Sequence, residues 1–217
     1  MKIGKYELHQ LETGIFGLDG GAMFGIVPRT LWSKLNTPDD ENRIDMALRA
    51  LLITGGKRNI LVDTGIGGKF PEKQKKMYKI DQVTDNLNSS LKKFNLETRD
   101  ITDVIFTHLH FDHAGGATGI EGGEHYLTFP NATCYAQKTN YEWAINPSDK
   151  DRGSYLKGDF VPIAEKGKLQ LIEGGAEIFP QIEVFVSNGH TIGQQLVKLS
   201  DGKQTLVYCA DLIPMAS

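Results

Sequence analysis

His108-Leu109-His110-Phe111-Asp112-His113-Ala114-Gly115-Gly116 places four metal-binding side chains within six positions. It directly follows Asp103-Val104-Ile105-Phe106-Thr107, an apolar, β-branched run that reads as a strand. Neutral imidazoles and a carboxylate suit zinc and its first-row neighbours, and a strand just upstream supplies a rigid element to fix them. At this chain's own His and Asp frequencies the pattern should arise by chance in roughly three of ten thousand sequences of this length, so coincidence explains it poorly. Alternate side chains of an extended segment share a face, so His108 and His110 can meet at one ion, while Asp112 and His113, past the strand end, can turn toward a second. Neither site is complete from this segment alone. His190, in Ser187-Asn188-Gly189-His190-Thr191, and Asp211, in Val207-Tyr208-Cys209-Ala210-Asp211, each follow a predicted strand. With two carboxylate oxygens, Asp211 can bridge ions at the separation of roughly 3.5–4 Å found in two-metal hydrolytic sites.

The rest of the composition narrows the class. A chain of 217 residues with 40% hydrophobic content can bury its own core, and one domain spanning 1–217 is expected. Lys and Arg number 24 against 27 Asp and Glu, a net charge of -3, which gives no electrostatic reason for a nucleic-acid partner. Cys134 and Cys209 stand far apart, outside any C-x-x-C spacing. That fits a reduced, cytoplasmic protein and argues against a thiolate zinc site, while leaving one disulfide between them open. The N-terminus lacks a signal-peptide core, and no stretch is long and apolar enough for a bilayer, so no membrane partner is expected.

Short β-like runs recur at Ile15 to Leu18, Met46 to Thr54, Ile60 to Val62, Val104 to Thr107, Thr133 to Ala136, Leu169 to Ile172, Ile182 to Val186, Gln195 to Leu199 and Thr205 to Cys209. Gly55-Gly56 and Asp201-Gly202 read as hairpin turns. Spacings of three and four among Val83, Leu87, Leu91 and Phe94 predict a helix over Asp81 to Phe94 with Asp81 as N-cap, and a second is expected over Thr139 to Ile145. Strands with interspersed helices favour layered sheets covered by helices over a doubly wound parallel sheet. Gly20 to Asp45, with Met23, Phe24, Ile26, Val27, Leu31 and Trp32, reads as a long binding loop or lid, or as an apolar segment that packs on the core or on a second copy in a homodimer. Met23, Phe24 and Trp32 are its candidate substrate contacts. Tyr141, Trp143 and Tyr155 read as packing residues, and His9 and His125 as ordinary surface or loop histidines.

Taken in order, Asp63-Thr64-Gly65, Thr107 through Gly116, Gly189-His190-Thr191 and Asp211 resemble the motifs of the metallo-β-lactamase-fold hydrolases. The resemblance implies an α+β fold, a four-layer αββα sandwich with its metals at one edge. By it, His108, His110 and His190 hold the first metal, Asp112 and His113 the second, Asp211 bridges them, and Asp63 orients a ligand through a hydrogen bond. A carboxylate at Asp211 is similar to glyoxalase II, the lactonases and the tRNA-processing nucleases, whereas the most studied β-lactamases carry cysteine there. Gly20 to Gly25, with Pro28 and Trp32, resembles the branch of quorum-quenching N-acyl-homoserine lactonases and related organophosphate hydrolases. Two departures stand out. Gly193 is followed by Gln194 where many members have a second histidine, and no histidine follows His190, although members take a last ligand from beyond the bridging aspartate. The expectation is a form truncated at its C-terminal end, lacking the sandwich's last strands and helix.

Two bound divalent ions, most simply zinc, lower the pKa of water to about 7 and so supply a nucleophile without serine or cysteine. The expected reaction is opening of an ester-like bond in a small molecule, foremost an N-acyl-homoserine lactone, with Asp112 relaying a proton to the leaving alkoxide. Phosphotriesters and thioesters are the alternative substrates, because pocket shape decides among them. A noncatalytic binding protein on a degraded hydrolase fold is the alternative outside enzymes.

Overall fold

The computed structural model describes residues 1–215. In chain order its strands are β1 (Lys2–Ile3), β2 (Tyr6–Asp19), β3 (Arg43–Gly55), β4 (Arg58–Val62), β5 (Asp103–Ile105), β6 (Thr118–Glu121), β7 (Glu124–Leu127), β8 (Thr133–Gln137), β9 (Leu169–Ile172), β10 (Ala176–Phe179), β11 (Ile182–Val186), β12 (Gln195–Ser200) and β13 (Thr205–Tyr208). The helices are α1 (Gly20–Phe24), α2 (Arg29–Trp32), α3 (Glu72–Met77), α4 (Leu87–Lys92), α5 (Phe111–Ala114), α6 (Lys138–Ile145) and α7 (Lys157–Glu165). A seven-stranded sheet runs β1-β2-β3-β4-β5-β8-β9, a four-stranded sheet runs β10-β11-β12-β13, and β6-β7 form a separate hairpin. Pairing is antiparallel from β1 to β4 and parallel from β4 through β5 and β8 to β9.

Both faces of the large sheet are covered, which explains the unbroken apolar run Ala50-Leu51-Leu52-Ile53 in β3. Leu51 and Ile53, with Ile60, Val62 and Ile105, meet Ile182, Val184, Val197 and Leu199 of the small sheet. Ala50 and Leu52, with Leu61, Val104 and Phe106, lie under Leu91 of α4, Ala144 of α6 and Phe160 and Ile163 of α7. Helices, large sheet and small sheet make three layers of the expected four. The far face of the small sheet presents Glu183, Phe185, Lys198 and Val207 at least partly to solvent. No helix of the described residues is long and apolar enough to cross a membrane.

The differences from the sequence reading have local causes. β2 has 14 residues, not the four from Ile15 to Leu18: its buried side chains pass from Tyr6 and Leu8 on the face toward the small sheet to Leu11 on the face toward the helices, and a bulge between Glu12 and Gly14 then shifts them from Leu11 and Thr13 to Phe16. That break hides the period-two pattern. The helix expected over Asp81 to Phe94 is only α4, capped by Asn86, whose side chain accepts from Ser89 N at 2.9 Å. Asp81 is not its cap: its backbone forms a bridge with Ile15 beside β2, and Val83 is 90% exposed. α7 escapes a sequence reading because Pro162 lies inside it. The Gly158 carbonyl left without an amide donor by that proline accepts instead from Thr118 Oγ1 at 2.7 Å. The strand expected to reach Thr107 ends at Ile105, and part of the Gly20 to Asp45 loop is helical, in α1 and α2. Both cysteines are free thiols, so the disulfide left open by the sequence is not made.

Candidate metal centre

The ligand candidates converge where both sheets end. β5 closes at Ile105, and the chain is carried on by Phe106 N to Tyr135 O at 2.9 Å and by Gln195 N to Thr107 O at 2.8 Å, the latter tying the large sheet to the small one. His108 and His110 then lie 4.4 Å apart, ring centroid to ring centroid, and α5 brings the His113 ring to 4.1 Å from that of His108. From the loop between β11 and β12, His190 places its ring 4.9 Å from His108 and 4.8 Å from His110. After β13, Asp211 sits between two imidazoles, 3.3 Å from His113 Nε2 and 3.2 Å from His190 Nε2. Asp112 lies 3.5 Å from His113 Nε2. All six residues expected to hold metal therefore meet at one place.

Two sets of ligand atoms lie close enough to share an ion: His108 with His110 and His190, and His108 with His113 and Asp211. The first set coincides with the sequence expectation. In the second, His108 joins His113 and Asp211, while Asp112 borders the set.

Asp63 is the support under this cluster. It is 1% exposed and follows β4 in a left-handed conformation (φ 58°) that Asp tolerates better than most residues. Its Oδ1 accepts from Thr107 N at 2.8 Å, and its Oδ2 from Thr107 Oγ1 at 2.8 Å and from His113 Nδ1 at 2.9 Å. Thr107 Oγ1 in turn lies 3.1 Å from His108 Nδ1. One carboxylate thus engages the Nδ1 side of two imidazoles, leaving each Nε2 for the cluster. The segment after Asp63 clasps the ligand helix: Thr64 N donates to His113 O at 2.7 Å and Gly116 N to Gly65 O at 2.9 Å. Gly67, at φ 66°, passes so close that a Cβ there would lie 2.3 Å from Gly115 O.

Gln194 takes a structural part. Wholly buried and oriented with its amide oxygen toward them, it accepts from the backbone N–H groups of Asp211 and Leu212, each at 3.2 Å. The residue standing where many resembling proteins have a histidine thus fixes the turn that carries Asp211. Tyr155, read from sequence as packing, does pack: its ring lies 4.6 Å from that of His110.

Electrostatics separate the donors into ligand-like and proton-holding groups. Burial, reinforced by the neighbouring imidazoles, pushes His108 well below the usual histidine range and His110 down to about 3. Burial lowers His190 also. These three are neutral imidazoles, the form that binds metal. Burial works against charge on His113, yet the carboxylates of Asp112, Asp211 and Asp63 outweigh it and hold that imidazole well above the usual range. Burial raises Asp112, with His113 opposing. Burial would raise Asp211 too, but His113 and His190 overcome it and hold the carboxyl low. Meanwhile His108 Nε2 and His110 Nε2 are buried without any hydrogen-bond partner. A buried, unpartnered His108 Nε2 beside His110 Nδ1 and His190 Nε2, which face each other at 3.0 Å, is costly unless a cation sits among them, so the donor set fits a divalent metal.

A cavity of about 1030 Å³ opens onto the cluster. His110, Asp112, His113, His190 and Asp211 form its polar end, and Phe16, Leu18, Met46, Leu48 and Tyr78 line an apolar wall. Of the expected substrate contacts, Met23 lines this cavity. Phe24 and Trp32 stack on each other with centroids 5.0 Å apart; Trp32 is 4% exposed against Gly20, and neither is part of the wall. His9 packs on Phe94, and His125 lines a smaller, separate cavity with Lys69 and Asp159.

A family model described as the metallo-beta-lactamase superfamily matches residues 49–217. The N-acyl homoserine lactonase AiiA of Bacillus thuringiensis subsp. kurstaki is 32% identical over 149 residues, which make up 63% of this chain and 51% of the relative. A crystal structure of a probable metal-dependent hydrolase from Staphylococcus aureus matches with a TM-score of 0.87 at 34% identity, over 95% of this chain and 73% of that one. AidC, a dizinc quorum-quenching lactonase in complex with a product, N-hexanoyl-L-homoserine, matches with a TM-score of 0.77 at 26% identity, over 98% and 74%. The chain spans about half the length of the curated relatives it matches.

Proposed function

The chain belongs to the metallo-beta-lactamase superfamily of hydrolases, and from that premise we propose that it is a dinuclear, zinc-dependent lactonase acting on N-acyl-homoserine lactones. The observation that carries this reading is the convergence of His108, His110, His190, His113 and Asp211 in two overlapping sets at the polar end of one cavity. His108, His110 and His190 would hold one cation; His113 and Asp211, with Asp112 beside them, would hold the other, with Asp211 shared. Divalent metal bound there supplies water activation at neutral pH and positive charge for an oxyanion. The chain's own residues do the remainder. Asp63 keeps His108 and His113 turned with Nε2 inward. The Asp112 carboxyl, raised by burial, can hold a proton and pass it to the alkoxide that leaves the lactone carbonyl. For a lactone that alkoxide stays tethered to the product. The apolar wall from Phe16 to Tyr78 suits an acyl chain, and the lactonase relatives support the same substrate class. Two free thiols and the absence of a basic surplus fit a cytoplasmic enzyme acting on small molecules.

The test is a substrate panel run with and without metal: acyl-homoserine lactones, a paraoxon-like phosphotriester and a glutathione thioester. Lactone opening should dominate, vanish on chelation and return with zinc. Faster phosphotriester or thioester turnover would reassign the substrate. Full lactone turnover by metal-stripped protein would overturn the mechanism.

A further inference from the structure

Asn140, the third residue of α6, is 1% exposed and touches both segments that carry the first set of imidazoles. Its Oδ1 accepts from Leu109 N, the backbone between His108 and His110, at 2.9 Å. Its Nδ2 donates to Ile192 O, two residues after His190, at 2.7 Å, and to the Tyr155 hydroxyl at 3.3 Å. That hydroxyl lies 2.5 Å from Thr191 Oγ1, and the Tyr155 ring packs on His110. Gly193 closes the joint from the other side: a Cβ there would lie 2.4 Å from Asn140 N.

The two segments belong to different sheets, one following β5 and the other joining β11 to β12. Together with the Gln195 bonds to Thr107 O and Phe106 O, the Asn140 amide ties them in register next to the histidines. An amide suits this place because it accepts on one side and donates on the other. Aspartate would lose the donor to Ile192 O, and an apolar residue would leave Leu109 N–H buried without a partner and Ile192 C=O without this donor.

We infer that Asn140 is a positioning residue of the metal centre: its side-chain amide sets the separation between the His108–His110 segment and the His190 loop, and so the fit of three imidazoles around one cation. This rests on the metal-dependent reading above. Its test is cobalt(II) binding to the full chain, read as affinity by chelator competition and as the visible d–d spectrum, in Asn140→Ala, Tyr155→Phe and the control Ser90→Ala. Ser90 is equally buried, and its Oγ donates to Glu12 O at 2.6 Å, so its replacement loses a buried hydrogen bond without touching either ligand segment. Asn140→Ala should weaken cobalt binding about 10–100-fold, the usual effect of losing a partner behind metal ligands, and should alter the d–d band. Tyr155→Phe should do the same to a smaller degree, and Ser90→Ala should leave both readouts unchanged. If Asn140→Ala does not fold, Tyr155→Phe decides on the same two readouts. Folded Asn140→Ala or Tyr155→Phe with wild-type affinity and spectrum, or an equal shift in Ser90→Ala, overturns the inference. A wild-type chain that takes up no cobalt overturns the metal reading itself, and the positioning role with it.

Discussion

Replacing Asp63 by asparagine keeps the shape and the left-handed backbone but exchanges one carboxylate oxygen for an NH2 group. The asparagine oxygen can still accept from Thr107 N, the partner of Oδ1. The NH2 then faces Thr107 Oγ1 and His113 Nδ1, both of which meet Oδ2 in the native chain. His113 can answer only by turning Nδ1 into an acceptor, which moves its proton to Nε2, the atom that must be bare to bind metal. Thr107 faces the same reversal and passes it to His108 Nδ1, 3.1 Å away. Both histidines are thus driven toward the wrong tautomer by one substitution. Metal affinity should fall about 10–100-fold, equivalent to about 1.4–2.8 kcal/mol. Asp63→Ala is a poorer probe. Three lost charge-assisted bonds at about 1.5–3 kcal/mol each would reach roughly 5–9 kcal/mol, comparable with the whole stability of a domain. The assay is zinc titration of Asp63→Asn against a chromophoric chelator, with 15N chemical shifts of the loaded protein reporting which imidazole nitrogen carries the proton. Wild-type affinity with unchanged tautomers would refute the reasoning.

Other perturbations test other parts of the chain. Lys69 and Asp159 form a buried ion pair at 3.0 Å, and burial, opposed by the partner, lowers the lysine and raises the aspartate. Asp159→Leu strands the ammonium and should cost about 3–5 kcal/mol at neutral pH in urea unfolding. Because the folded lysine's pKa lies below its unfolded value, its burial penalty fades as pH rises through the folded pKa, so the loss should shrink in mildly alkaline buffer; a constant or growing loss would contradict this sign. Gly67→Ala, strained at φ 66° and colliding with Gly115 O, should lower stability by about 1–3 kcal/mol in the same assay. Met23→Trp should narrow the cavity, reducing kcat/KM for long-chain lactones about tenfold relative to short-chain ones.

The centre was legible in sequence because its chemistry is local. Imidazoles at alternate positions after a strand announce a ligand set, and His190 and Asp211 follow the ends of β11 and β13, where a sheet edge brings chain segments together. Three supports were not legible. Asn140, Gln194 and Lys69 are polar residue types usually found in solvent, and only the tertiary fold reveals which buried groups they satisfy. Asp63 was found through a resemblance rather than from its own surroundings in sequence. In the fold, buried runs such as Ile60 to Val62 were plain, whereas the bulge in β2 and Pro162 in α7 broke the periodicities that would have marked those elements. The helical spacing from Val83 to Phe94 was genuine only in part: Leu87, Leu91 and Phe94 do pack on the large sheet, but Val83 precedes the Asn86 cap.

Crystals grown with zinc and measured on either side of its absorption edge examine the centre most directly. Two anomalous peaks should appear, one ringed by His108, His110 and His190 and the other held by His113 and Asp211. A map with no peak among these residues, from protein shown to be folded, would contradict metal-dependent hydrolysis by this chain.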